Sequence, residues 1–428
     1  VALDPELLGK VFENLLASFN PETASTARKS TGSYYTPREI VDYMVTQSLK
    51  EYFKTHLKET DEPLNPPPLT GGGEGEGERV FSDEIDSRLD LLFTHDSEIN
   101  PFNKSDTSRM VNLIDNLRIV DPAVGSGAFP MGILNKLVFI LSKLDPDNAL
   151  WKETQIKAVE KSVPDPIVKQ KLKEQIEEQF TEKNLDYGRK LYLIQKCIYG
   201  VDIQQTAVEI AKLRFFISLL VDEKIEKAKE NWGIEPLPNL DFKIMQGNSL
   251  ISEFMGIDLD DDNKDKGQRS FFSDGMDELI NQFKQKKNEY QNEPDRDKKE
   301  LLKHEVDNLI IAMFVTKLKK QKSDYFSQLQ AIEKKYLIIP NEKERNEIIA
   351  KEKDAVYKKT GFNLEAIERQ LLEFTDGLKV KPFFAWKLYF AEVFHEKGGF
   401  DIVISNPPYK ILTMNNTNNA ELQSYISH

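Results

Sequence analysis

The segment "LRIVDPAVGSGAFPMGILNKLVFIL", residues 117–141, constrains the fold more than any other stretch. A short apolar run ending in an acid reads as a buried strand, the glycines as a tight turn, and the apolar residues beyond them as a helix. That is an α/β unit. The arrangement returns in "CIYGVDIQQTAVEIAKLRFFISLL", and "LDFKIMQGNSL" reads as a third strand ending in a polar turn. A fourth strand, "FDIVIS", arrives only after a long Lys- and Glu-rich stretch with helical periodicity, 253–399. The expected class is therefore α/β, with a large helical insertion splitting the sheet.

At 428 residues the chain is too long for one ordinary core, and two or three units are expected. With 39% hydrophobic and 30% charged residues it reads as soluble and globular. Neither a membrane-spanning run nor a signal peptide is evident, so a cytoplasmic location with no membrane partner is the default expectation. The single cysteine, Cys197, lies in an apolar segment with no histidine nearby in sequence, and reads as a core thiol rather than a nucleophile. A net charge of −13 argues against a complete nucleic-acid grip, because phosphate binding rests on clustered Lys and Arg. The first residue, Val1, suggests an excerpt of a longer chain.

Near the start, "ELLGKVFENLLASF" has the spacing of an amphipathic helix. Thr36, Pro37 and Glu39 then form a helix start: a capping threonine, a proline at the first helical position and a glutamate three residues after the cap. "NPPPLTGGGEGEGE", Asn65 to Glu78, reads as a mobile surface loop. The aromatic-rich "KPFFAWKLYFAEVF" reads as core packing rather than a base-stacking platform.

"DPAVGSGAFP" departs from the dinucleotide fingerprint, since Pro130 stands where a third glycine belongs, and the nearest candidate acid, Asp202, is displaced by a helical stretch. No Walker-type loop occurs. Besides a plain tight turn, the segment suits a ligand with a cationic amino group: an acid precedes two glycines that let backbone approach closely. Asp202, ending the neighbouring strand, is placed to accept both hydroxyls of a ribose. At the end of the fourth strand, "SNPPY" fixes an asparagine and a tyrosine with two prolines.

Together, "TGSYYTPREIVDYMV", "DPAVGSGAFP", "YGVDIQQTAVEIAKLRF", "QGNSL" and "FDIVISNPPY" resemble, in content and order, the amino-group DNA methyltransferases that use S-adenosylmethionine, in the gamma order. The leader "LLGKVFENLLASFNPETASTARKSTGSYYTP" resembles the large methyltransferases of fused type IIG restriction-modification enzymes and related phage-defence systems. The resemblance implies a Rossmann-like S-adenosylmethionine-dependent methyltransferase core with a helical N-terminal region. On that reading residues 1–116 carry the cofactor-closing segment, 117–252 the first part of the core, 253–399 the helical insertion and 400–428 the catalytic continuation. It further implies that Asp121, Gly125 and Gly127 line the methionine end of the cofactor, with Tyr35 and Thr36 closing over it. Asp202 would hold the ribose, Ile203 would pack on the adenine, and Asn248 stands where many relatives carry an aspartate beside that adenine.

The same resemblance makes Asn406, Pro407, Pro408 and Tyr409 catalytic. The exocyclic amine of adenine is a poor nucleophile because its lone pair is delocalised into the ring. Two acceptors aimed at its hydrogens, the Asn406 side-chain oxygen and the Pro407 carbonyl, favour the pyramidal form whose lone pair points at the methyl group. Tyr409 would stack on a base flipped out of duplex DNA. No general base and no metal are implied. Alternatives are methylation of protein glutamine or of an RNA base, and a non-catalytic cofactor-binding scaffold. A nuclease is expected outside this chain, since Asp262-Asn263-Lys264 and similar triplets lack a strand. The target-recognition domain is likewise expected beyond residue 428.

Overall fold

The computed structural model describes residues 36–58, 74–162, 185–222, 240–254, 257–258, 275–293, 295–360, 363–375 and 383–407, with isolated helical positions at 11, 166, 169–170, 173–174 and 176. The leading helix apart from Val11, Tyr35, residues 65–73 of the expected loop, Asp262–Lys264, Pro408 and Tyr409 lie outside them. Two compact units emerge: residues 1–202, 206–237 and 401–428, and residues 203–205 and 238–400. No helix among the described residues is long and apolar enough to cross a membrane.

In chain order the elements begin with α1 (Arg38–Lys58), α2 (Glu74–Phe93), α3 (Lys104–Asn116), β1 (Ile119–Asp121), α4 (Ala128–Leu144), α5 (Ala149–Ser162), α6 (Leu185–Lys196), β2 (Ile198–Asp202) and α7 (Gln205–Leu220). They continue with β3 (Ile244–Gln246), β4 (Glu253–Phe254), β5 (Ile257–Asp258), α8 (Met276–Asn292), α9 (Arg296–Gln321), α10 (Ser323–Tyr336), α11 (Glu342–Thr360) and α12 (Leu364–Thr375). The last are α13 (Trp386–Tyr389), α14 (Ala391–Lys397) and β6 (Ile402–Val403).

In the first unit β1 lies between β2 and β6 and runs parallel to both, with Ile119 opposite Ile198 and Ile402, and Val120 opposite Tyr199 and Val403. Parallel strands covered by helices carry apolar residues on both faces, and Ile119, Val120 and Asp121 are all buried. The α4 helix is buried nearly all round, through Ile133, Leu134, Leu137, Ile140 and Leu141. A helix so apolar belongs inside a core, each such side chain stabilising by about 1.5–3 kcal/mol.

The α1 helix packs on α4. Lys136, buried on α4, reaches Asp42 of α1 at 2.6 Å. Gly132 lets the two axes approach, because a Cβ there would collide with Val41 Cγ1. Gly132→Ala is therefore expected to lower the melting temperature: overpacking against a stiff valine costs about 1–3 kcal/mol, against about 1 kcal/mol gained from helix propensity. A thermal melt that rises instead would show that Val41 yields freely.

Two local expectations change. Residues Glu74–Glu78, read as part of a loop, form the first turns of α2; the packed half of the helix, with Leu89 and Leu92 buried, lets it propagate back through glycines that propensity alone disfavours. The α1 helix begins one residue later than the capping pattern predicts, since the Pro37 carbonyl accepts its opening bonds from Ile40 and Val41 at 3.0 and 3.1 Å.

The second unit is mostly helical. The α8 and α9 helices pack together around Ile280, Phe283, Val306, Met313, Phe314 and Leu318, and α10 packs with α11. A small antiparallel pair, β4 with β5, was not foreseen in the insertion. The aromatic-rich segment is core: Phe383, Phe384 and Phe390 are buried, and Phe384 stacks on Tyr389. Cys197, in the first unit, is a buried thiol whose Sγ donates to the Ile114 carbonyl at 3.4 Å.

Candidate active site

Because β1, β2 and β6 run parallel, their C-terminal ends share one edge of the sheet. Asp121 ends β1, Asp202 ends β2 and Asn406 follows β6 by three residues. Ligands of open α/β sheets bind outside this edge.

The turn after β1 is held from beneath and from the side. Gly125 and Gly127 have φ of 51° and 89°, left-handed values that glycine adopts without a Cβ penalty. Val124 N–H donates to the Val201 carbonyl at 2.9 Å, and Gly125 N–H to Asp202 Oδ2 at 2.8 Å, so the turn is tied to the end of β2. Two residues of α7 support it. A Cβ on Gly127 would stand 3.1 Å from Ala211 Cβ. Buried Arg214 donates through Nη1 to the Ser126 carbonyl at 3.0 Å and to Ser126 Oγ at 3.3 Å. Among the described residues a Cβ on Gly125 would meet nothing within 4 Å, which leaves its backbone bare on that side.

Asp121 is 1% exposed. Burial pushes its carboxyl from 3.8 up to about 7, and the nearby Asp202 charge adds to the rise; the Ala123 N–H, donating at 3.0 Å, and the Ser405 hydroxyl pull it back. Ser405 Oγ is itself buried and lacks a hydrogen bond of full geometry among the described residues. Near neutral pH this carboxyl is poised to ionise when a cation arrives.

The β6 strand is pinned beside β1 by Asp401, whose Oδ2 accepts from Arg118 N–H at 2.7 Å, and by Ile404 N–H donating to the Val120 carbonyl at 3.0 Å. The chain then turns out through Ser405 to Asn406 and exposed Pro407. Asn406 Nδ2 donates to Thr36 Oγ1 at 3.1 Å.

Thr36, Asp121, Gly125, Gly127, Asp202, Asn406 and Pro407 thus belong to the first unit, and Ile203 and Asn248 to the second. Ile203 is 49% exposed, and its carbonyl accepts from Gln246 Nε2 at 2.9 Å. Asn248 Oδ1 accepts from Leu250 N–H at 3.1 Å, an Asx turn that closes the loop after β3. Sequence reasoning missed Arg214, Ser405 and the bond from Asn406 to Thr36. Only Arg214 had a visible signal, a cation inside the apolar run "EIAKLRFFISLL".

The profile of the Eco57I restriction-modification methylase family matches residues 196–428. A Methanocaldococcus jannaschii protein, assigned by inference as a type II restriction enzyme and methyltransferase, is 27% identical over 434 aligned residues, 96% of this chain and 30% of that protein. The chain therefore spans under a third of the length of that relative. No solved structure matches. With its second half, including β6 and the Asn406 that follows it, inside the matched span, the chain belongs to the Eco57I restriction-modification methylase family.

Proposed function

We propose that the chain is the methyltransferase part of a site-specific, adenine-specific DNA methyltransferase in a restriction-modification or phage-defence system of the fused type IIG kind. Its core would be Rossmann-like, and its methyl donor S-adenosylmethionine. The observation that supports this is the shared sheet edge, past which a buried acid, a glycine turn, a second acid and the asparagine of "NPPY" all follow the ends of parallel strands.

The residues fit the donor. Asp121 suits its cationic amino group, the open face of Gly125 admits its methionine end, and Asp202, already anchoring the turn, suits its ribose. When bound, S-adenosylmethionine supplies a methyl group on a positively charged sulfur. The chain's own part is to position: Asn406 Oδ1 and the Pro407 carbonyl accept from the two hydrogens of the adenine amine, and Tyr409 stacks on the flipped base. Tyr35 closes over the donor. Ile203 and Asn248 keep adenine-side roles, each testable by substitution and donor affinity. Double-stranded DNA is the substrate, with target recognition and a nuclease supplied outside these residues.

Labelled methyl transfer by the full-length protein to duplex DNA, followed by digestion to nucleosides, tests the reading. Label is expected on the exocyclic amine of adenine. Label on cytosine, RNA or protein, or none at all, would overturn it.

A further inference from the structure

We infer that Thr36 is a positioning residue for methyl transfer, its hydroxyl restraining the Asn406 side chain whose amide oxygen accepts from the target amine. The inference rests on the adenine-methylating reading above and adds a role to a residue that the sequence resemblance has closing over the donor.

The two ends of an asparagine amide have nearly the same shape, and their orientation is decided by the hydrogen bonds they make. Both diverge from one carbon, so fixing Nδ2 fixes where Oδ1 points. Here Nδ2 is held by Thr36 Oγ1 at 3.1 Å, across 370 residues of sequence. A hydroxyl can accept from Nδ2 or donate to Oδ1, so the Thr36 bond fixes the plane and direction of the amide; an amine that is itself a donor then selects the end that faces it, since a flipped amide would set donor against donor.

Thr36 is well placed for the task. It is 8% exposed, and it precedes Pro37, whose ring restricts its backbone to extended conformations. The Pro37 carbonyl in turn opens α1, and α1 packs along α4 with Val45 and Leu49 buried. The hydroxyl is thus presented by a rigid element. An N-cap role would have turned it toward the first helical N–H groups, but the helix starts one residue later and the hydroxyl meets Asn406.

Thr36→Val keeps the shape and removes the hydroxyl, whereas Thr36→Ser keeps the hydroxyl. In the full-length protein, Thr36→Val is expected to lower kcat by about 10- to 100-fold, a larger factor than the rise in donor Kd that loss of its contact with the donor brings. Thr36→Ser is expected to restore kcat to within about threefold of wild type. Adding Thr36→Val to Asn406→Ala is expected to cost nothing further in rate, and the melting temperatures of the four proteins in that cycle are expected to be non-additive. Equal losses in the valine and serine variants, or weakened donor binding with kcat unchanged, would overturn the positioning role and leave the methyltransferase reading standing. A wild type that transfers no methyl would overturn both.

Discussion

Asn406→Ala is expected to lower kcat for DNA methylation by about 100- to 1000-fold, while donor affinity stays within about threefold of wild type. The split follows from geometry. Asn406 lies past the end of β6 and bonds to Thr36, whereas the turn read as the donor's cradle is held by Asp202, Arg214 and Ala211. Removing the amide therefore takes an acceptor from the transition state without disturbing that turn. Single-turnover rates and equilibrium titration separate the two quantities. Loss of donor binding in parallel with rate would place Asn406 in the donor site and sink the base-pocket role.

Asp121→Asn is expected to act in opposite directions on binding and stability. Buried beside the Asp202 charge, the carboxyl titrates at about 7 in the folded chain against 3.8 as its ordinary value. A group raised in this way contributes stability that is fully present below 3.8 and is lost as pH climbs to about 7, with a ceiling of about 4 kcal/mol. Asparagine does not titrate and can still accept from Ala123 N–H. The unliganded variant should therefore melt higher than wild type at pH 8 and the same near pH 4. Donor binding should fall by about 100-fold, because a paired, water-excluded ammonium loses its counter-charge. In wild type the carboxyl must ionise to pair, so donor affinity should drop about tenfold per pH unit below 7 and level off above it. An affinity flat between pH 5.5 and 8 would remove Asp121 from the donor site.

The strands were legible because each is a short apolar run closed by a polar residue: "RIVD", "IYGVD", "KIMQ" and "DIVIS" all became strands, although β6 buries Ile402 and exposes Val403. The helical character of the stretch after Glu253 was equally visible. Less visible was α2, since propensity condemns a Gly-Glu repeat that packing farther along rescues. Within the site, the glycines announced their left-handed turns, but the supports did not announce themselves. Ala211 is one small residue among many, and its value lies in what it leaves room for above Gly127. The Thr36–Asn406 bond was hidden by separation, and the local pattern Thr-Pro-x-Glu pointed to a cap instead. The pull of burial on Asp121 needs the walls around it, which a linear string does not display.

The β1–β6 pairing has a consequence in time. Arg118 and Asp401, whose bond pins that pair, lie 283 residues apart. At ribosomal rates of about 5–20 residues per second, some 15–60 seconds separate their synthesis. During that interval β1 can gain its partner on the β2 side but not on the other, so a row of backbone donors and acceptors waits for a strand still being made. The edge that gathers Asp121 and Asn406 is thus among the last parts of the first unit to be completed. A nascent chain released before Asp401 carries the glycine turn with one flank of its sheet unpaired.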